Sequence, residues 1–288
     1  MANVLFLIGD AGIAQNDNHV RLPAAFRKLG HEVTTVDHTS VSLHGNELLI
    51  GECSADRYEL LWLLGFGPRE SFLDRMQLLK RIDQRRFVNP VDAYTYLHSK
   101  LNFTEYMPET HAAGSLEPLI QQLDDATRWV VKPSATSFGR DVAIIGNDDR
   151  GRERIRRVIE KYGFAVVQRY VDSVDHGEVR FLVAAGKPIG CYKRLPARDH
   201  RANLAAGGRP VVHTATPREA ELANTIGSKL LECGIRFAAV DIAGPYLIEV
   251  NVVNPGGLAT LQKLTGDDLV PLTVRTIVES MDMIASRG

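Results

Sequence analysis

Residues 237 to 257, Phe-Ala-Ala-Val-Asp-Ile-Ala-Gly-Pro-Tyr-Leu-Ile-Glu-Val-Asn-Val-Val-Asn-Pro-Gly-Gly, constrain this chain more than any other stretch. Two short apolar runs flank Gly244-Pro245, and each carries polar groups where a buried strand should carry none. Asp241 interrupts the first run; Glu249 and Asn251 interrupt the second. Side chains alternate faces along a strand, so Glu249 and Asn251 share one face. A turn with an odd number of unpaired residues, such as 244 to 246, sets Asp241 across from Glu249. An even turn sets it on the opposite face. In the odd register two carboxylates and an amide oxygen converge, an oxygen-only set that suits a hard cation such as Mg2+ held jointly with phosphates. The plainer alternative is the wet face of an ordinary hairpin, and the rest of the chain has to decide.

A chain of 288 residues suggests roughly two or three domains. With 44% apolar and 24% charged residues it reads as globular, neither disordered nor membrane-embedded. A net charge of -1 argues against a nonspecific nucleic-acid binder. Cys53, Cys191 and Cys233 form no C-x-x-C pair and fit free thiols in a reducing cytosol. The N-terminal run has no basic leader region and is too short for a signal peptide or a span, so the expectation is a cytoplasmic protein.

Residues 3 to 8 form a continuous apolar run, as for a strand buried on both faces. A polar loop follows to residue 18, then a helical pattern with Leu22, Phe26 and Leu29 on one face, then β-branched residues 32 to 37. Strand, helix, strand implies a parallel unit. Residues 58 to 64 predict another strand, 70 to 86 a helix, and Phe87-Val88 a short strand. The first 90 residues thus read as Rossmann-like. The loop Gly65-Phe66-Gly67-Pro68-Arg69-Glu70 lacks the last glycine of a dinucleotide fingerprint and follows the wrong strand, which disfavours an NAD-linked oxidoreductase.

Residues 91 to 101 predict a helix with Lys100 near its end, 116 to 123 a second helix, and 129 to 132 a strand with Lys132 at its exit. The small-residue loop 134 to 140, with Ser137 and Gly139, can lay backbone N–H groups over an anion, although its spacing is not that of a P-loop. The arginine-rich helix 151 to 162 reads as a solvated face. A strand over 165 to 171 and a hairpin over 178 to 194 follow. Residues 193 to 209 carry too many cations for buried core, and Arg194, Arg201 and Arg209 can grip carboxylates or phosphates bidentately. A helix over 217 to 233 precedes the opening hairpin. Gly256-Gly257 then offers backbone amides to an anion, and 267 to 286 predict a closing helix.

The run Arg201-Ala-Asn-Leu-Ala-Ala-Gly-Gly-Arg209, followed by Asp241 and Glu249-Val-Asn251, resembles the C-terminal half of bacterial glutathione synthetase, an ATP-grasp ligase. Glu178-Val-Arg180-Phe-Leu-Val, Val131-Lys132-Pro133, His98-Ser-Lys100-Leu and the Asn16-Asp17-Asn18 loop extend the likeness over about residues 3 to 265. The Arg-x-Asn-Leu-x-x-Gly-Gly stretch is also similar to that of the ribosomal-protein glutamate ligases. The resemblance implies an α/β (α+β) chain: a Rossmann-like pre-ATP-grasp domain over 1–90, an ATP-grasp central lobe over 91–170, and a C-terminal lobe over 171–288 bearing the metal and substrate site. It implies ATP with Mg2+, or alternatively Mn2+. Lys100 and Lys132 would contact phosphates under the loop of Ser137 and Gly139. Gln168, Tyr170 and Val171 would form a hinge around the adenine, with Glu178 nearby. Asp241, Glu249 and Asn251 would hold the metal. Arg180, Asn203 and Arg209 would stabilise the transferring phosphoryl and the intermediate, while Arg194, Arg201, Gly256 and Gly257 would bind substrate.

The expected activity is therefore carboxylate–amine ligation through an acyl phosphate on amino-acid or short-peptide substrates, in a homo-oligomer with no nucleic-acid or membrane partner. Three departures bear on this. The phosphate loop after Lys132-Pro133 has only Gly139; the family's Arg-Lys-Asp-Pro-Pro stretch is replaced by Leu64-Gly-Phe-Gly-Pro-Arg69; and Asn251 is followed by Val-Val-Asn-Pro-Gly-Gly in place of Thr-Ser-Pro. The last two fall near the substrate pocket, so γ-glutamylcysteine and glycine do not follow as substrates. Alternatives are a ribosomal-protein-glutamate-ligase-like or specialised amide ligase, and a nucleotide-binding regulator without catalysis.

Overall fold

A parallel sheet in the order β2-β1-β6 opens the chain, as the strand–helix–strand pattern predicts. The computed structural model describes residues 1–9, 16–134, 141–196 and 207–285. β1 (Asn3–Ile8) is central and its residues 4 to 7 are wholly buried, which explains an apolar run without alternation. α1 (Asn18–Lys28) turns Leu22 and Phe26 inward, and β2 (Glu32–Asp37) is the half-exposed edge. A small antiparallel meander, β3 (Val41–His44), β4 (Glu47–Ile50) and β5 (Cys53–Ser54), intervenes before β6 (Leu60–Leu64). Its two-residue turns begin at Gly45 and Gly51, both at positive φ, the glycine placement that tight hairpins favour. Phe87 adds only an isolated parallel bridge to Leu61.

Several predicted helices are shorter. α2 spans Phe72–Leu79, and α3 stops at Val91–Thr95, where Tyr96 leaves helical geometry at φ -134 and its carbonyl accepts from Ser99 N and the Asn102 side chain. Lys100 therefore sits on a turn. A second sheet, order β7-β10-β8-β9, follows: β7 (Thr110–Ala113), then α4 (Glu117–Ile120), β8 (Trp129–Lys132), β9 (Ala143–Ile145), α5 (Asp149–Tyr162) and β10 (Ala165–Arg169). Asp148 caps α5 by accepting from Gly151 N, and Gly163 ends it in the left-handed region. α5 packs Ile155 and Val158 against Trp129, Val131 and Val167, a core of this sheet's own.

The third sheet, β13-β12-β11-β14-β15, is antiparallel throughout: β11 (Glu178–Ala184), β12 (Lys187–Leu195), β13 (Arg209–Val212), β14 (Phe237–Ala243) and β15 (Tyr246–Asn251). α6 (Pro217–Glu232) starts with a capping box between Thr216 and Glu219. The predicted closing helix is α8 (Val270–Ala285); α7 (Leu258–Thr265), ended by Gly266 at positive φ, precedes it and is an additional helix. The first and third sheets share cores. Leu5 and Leu63 cluster with Phe181 and Val240, and Phe6 and Trp62 with Leu182 and Phe237. Among the described residues no helix is long and apolar enough to cross a membrane.

Candidate active site

The register of β14 on β15 decides whether the opening stretch makes a site. Ala243 pairs with Tyr246, so the turn is Gly244-Pro245, two residues and not three. Gly244 at φ 59 followed by proline is the II′ pattern that suits a tight hairpin. An even turn alone would put Asp241 on the far face from Glu249. The ladder shifts between Asp241 and Ile242, however, leaving Ile248 as an extra residue, and Asp241 pairs with Glu249 after all. The expected juxtaposition holds; the odd turn is corrected to an even turn plus a bulge.

Strand order extends the row. Arg180 on β11 pairs with Asp241 on β14, and Glu178 with Arg194 on β12. The alternation of strand faces then gathers Arg194, Glu178, Arg180, Asp241 and Glu249 on one side. Arg180 donates through Nε to Asp241 Oδ1 at 2.8 Å and through Nη2 to Oδ2 at 2.7 Å. Arg194 Nη2 lies 2.8 Å from the same Oδ2 and donates to Glu178 Oε2 at 2.7 Å. Asp241 is 1% exposed. Burial works to raise its pKa, but the guanidiniums of Arg180 and Arg194 hold it below the usual carboxylate range. Burial raises that of Glu178 despite Arg194. Arg194 Nε is buried and donates to no group among the described residues, an unmet donor inside the cluster.

Two lysines face this row, Lys132 from β8 of the second sheet and Lys100 from the turn after α3. Lys132 Nζ, at the end of β8, donates to Gln168 Oε1 at 2.9 Å, while Gln168 Nε2 donates to Thr110 Oγ1 at 2.8 Å. Burial, and then the neighbouring Lys100 charge, lower Lys132 to about 8. Lys100 spans the two sheets: its Nζ donates to the Ser134 carbonyl at 3.4 Å and lies 3.8 Å from Glu249 Oε1. His98, not anticipated as a site residue, packs its ring 5.2 Å from Phe66, and burial lowers its pKa.

The other expected residues are scattered about this centre. Tyr170 is buried, its hydroxyl hydrogen-bonded to Asp175 and its ring under the Arg128 guanidinium at 4.3 Å; Val171 follows, half-buried. The side chain of Gln168 is spent on Lys132 and Thr110, and its backbone lies in the central strand β10 between Thr110 and Val130. Gly256 O accepts from Arg180 Nη1 at 3.2 Å, and Gly257 has φ 148, where a side chain is strained and a Cβ would press on Leu182 at 3.0 Å. Arg209 is exposed at the start of edge strand β13 and is not brought into the cluster. Ser137, Gly139, Arg201 and Asn203 lie outside the described residues.

Among the described residues no group of three His, Cys, Asp or Glu side chains could hold a metal alone. Glu249 is one-third exposed at 33% of its side chain. Asn251 donates its amide to Asp241 Oδ2 at 3.3 Å, and no donor among the described residues takes up its oxygen. These two oxygens fit a hard cation that takes its remaining ligands from phosphates and water. Asp241 stands behind them, committed to two arginines, and supports the pair by charge more than by a free lone pair.

The family model for the prokaryotic glutathione synthetase ATP-grasp domain matches residues 98–266, more than half of the chain. The chain belongs to this family. The glutathione synthetase of Gloeobacter violaceus is 34% identical over 182 residues, 62% of this chain and 56% of that one. That of Nostoc is 28% identical over 222 residues, 74% of this chain and 68% of its own. The chain thus spans little more than half of the first relative's length. A crystal structure of the D-cycloserine synthetase DcsG superposes with a TM-score of 0.70 at 17% identity, covering 96% of this chain and 99% of that one. A RimK domain ATP-grasp protein from Sphaerobacter thermophilus gives 0.65 at 19% identity, over 96% and 100%. The fold is ATP-grasp.

Proposed function

We propose that this member of the glutathione synthetase ATP-grasp family is an ATP-dependent carboxylate–amine ligase acting on amino-acid or short-peptide substrates. The observation that carries the reading is a charge surplus where the second and third sheets meet. Lys100, Lys132, Arg180 and Arg194 stand against Glu178, Asp241 and Glu249, four cations to three carboxylates. A buried cationic surplus with an unmet guanidinium donor suits a polyphosphate. The division of the chain at about residues 90 and 170 belongs to the same proposal; the separate core of the second sheet supports a central lobe, while Val91, Tyr94, Leu97 and Met107 pack with the first and third sheets.

In this reading Lys132 and Lys100 draw the phosphates of ATP between the sheets. The donor carboxylate attacks the γ-phosphorus, ADP departs, and an acyl phosphate remains. The amine nitrogen then adds to its carbonyl carbon, and the tetrahedral intermediate collapses with loss of phosphate and a proton. No dedicated nucleophile is needed; positioning and neutralisation of charge do the work. Arg180, locked by two bonds to Asp241, supplies a pre-oriented guanidinium. The ATP-grasp ligase PsnB has been solved with Mg and ADP. Held here by Glu249 and Asn251, Mg2+ would neutralise phosphate charge. The test is phosphate release from ATP with acids, including γ-glutamyl dipeptides, paired with amino acids as acceptors. Release that requires both an acid and an amine is expected. Release independent of both, or none across the panel, would sink the reading.

A further inference from the structure

The turn at residues 252 to 257 leaves β15 and delivers the chain to α7, and side chains from elsewhere grip its carbonyls in succession. Asn89 Nδ2 donates to Val252 O at 2.7 Å and Asn16 Nδ2 to Asn254 O at 3.2 Å. Asn18 Nδ2 donates to Pro255 O at 3.0 Å and to Asn254 Oδ1 at 2.9 Å. Arg180 Nη1 donates to Gly256 O at 3.2 Å. Asn18 is only 1% exposed and reaches across 237 residues of sequence to make its bond to Pro255. Asn16 and Asn18 stand at the start of α1, so the first sheet's helix holds the turn that also orients Arg180.

In a trans peptide the N–H points opposite to the preceding carbonyl, and the described residues have no cis bonds. Fixing Pro255 O therefore aims the Gly256 N–H, and fixing Gly256 O aims the Gly257 N–H. Neither N–H has a partner among the described residues. We propose that Asn18 is a positioning residue for the ligase reaction. It holds the Asn254-Pro255 turn so that Gly256 O keeps Arg180 in place and the free Gly256 amide faces the carboxylate-bearing substrate. The role rests on the ligase reading above. A merely structural asparagine would lower stability on removal but leave turnover per folded molecule unchanged.

The experiment compares Asn18→Ala, Asn18→Asp and Asn254→Ala with the full-length wild type, at a temperature where all are folded. Asp at position 18 keeps the shape but sets a carboxylate against Pro255 O and offers it no donor. Expected is a fall in kcat of about 10- to 100-fold for both Asn18 variants, the scale of an ångström's misplacement. KM for ATP should stay within about twofold, because Lys100 and Lys132 are not touched. Asn254→Ala should be milder, since the Asn18 bond to Pro255 remains, and the double Ala variant should be no slower than Asn18→Ala alone. Wild-type kcat in Asn18→Ala overturns the proposal. A second readout needs no activity. Amide exchange over residues 252 to 258 should quicken in Asn18→Ala while residues 129 to 169 stay unchanged. Equal exchange over 252 to 258 also overturns it. A wild type that turns nothing over would sink the ligase reading alone and leave this exchange result to decide whether Asn18 holds the turn.

Discussion

Lys132 carries a charge that the fold works against, and the cost can be measured. Burial, and then Lys100, lower its pKa from the ordinary 10.5 to about 8, with Gln168 Oε1 at 2.9 Å as its hydrogen-bond partner. In the unfolded chain the amine keeps its proton to about pH 10.5. Between those two values the unfolded state binds more protons than the native state, so stability rises with pH across the window. The contribution is complete above about pH 10.5 and is lost as pH falls through about 8. At about 1.4 kcal/mol per pKa unit the window is worth about 3 kcal/mol, of which about 2 kcal/mol falls between pH 7 and pH 9.5. Lys132→Met removes this titration and leaves the others. Urea denaturation of both proteins without nucleotide, at steps from about pH 7 to about pH 9.5, isolates it. The wild-type free energy of unfolding minus that of the variant should climb by about 2 kcal/mol across the series. The same variant should bind ADP at least about tenfold more weakly at pH 7, since a bound phosphate is what the buried cation awaits. Parallel pH curves for the two proteins would refute the burial argument, whatever happens to nucleotide affinity.

The two acidic residues of the hairpin should part company when neutralised. Asp241→Asn takes the carboxylate from two buried guanidiniums and should cost about 3–5 kcal/mol in urea denaturation, with phosphate release abolished. Glu249→Gln touches a one-third-exposed group whose nearest cation among the described residues, Lys100, is 3.8 Å away, so stability should hold within about 1 kcal/mol. Its phosphate release should nevertheless fall about 100-fold or more, with a higher Mg2+ concentration needed for half-maximal rate; an unchanged Mg2+ titration would remove Glu249 from the metal site.

What the sequence made legible follows from local physics. β1 and β6 show as unbroken apolar runs because both of their faces are buried. Asp241 and Glu249 show because a charge inside an apolar strand demands a reason; Arg180 and Lys132 come from the family resemblance, since Lys132 by itself reads as a surface lysine at a strand exit. Partnership is another matter. Arg194 reads from the sequence as a free grip for substrate, yet its Nη2 is shared between Glu178 and Asp241. That sharing depends on β11 lying between β12 and β14, an order that residue spacing does not state. Asn16 and Asn18 read as polar loop because their partners stand more than 230 residues away. The β3–β5 meander did have a local signal, in the glycines that begin its two turns.

The bulge at Ile248 shows how a correct juxtaposition can be reached by a wrong count, and it makes the register testable by deletion. Two residues in the turn and one extra in β15 bring Asp241 opposite Glu249; pairing then continues regularly, Val240 with Val250 and Ala239 with Asn251. Removing Ile248 takes out the extra residue, so an even turn and an unbroken ladder again set Asp241 across from Glu249, with Asn251 two residues on and on the same face. Removing Val250 leaves that pair alone but shifts Asn251 by one and turns its side chain to the opposite face. The deletion at 248 should therefore keep phosphate release within about tenfold of wild type, and the deletion at 250 should lose about 100-fold or more, both measured on protein shown to be folded by its urea transition. If the two deletions were equally inactive, the bulge would be needed for more than parity, to aim Glu249 as such irregularities can. If the deletion at 250 stayed active, the shared face of Glu249 and Asn251 would not be the metal-binding surface.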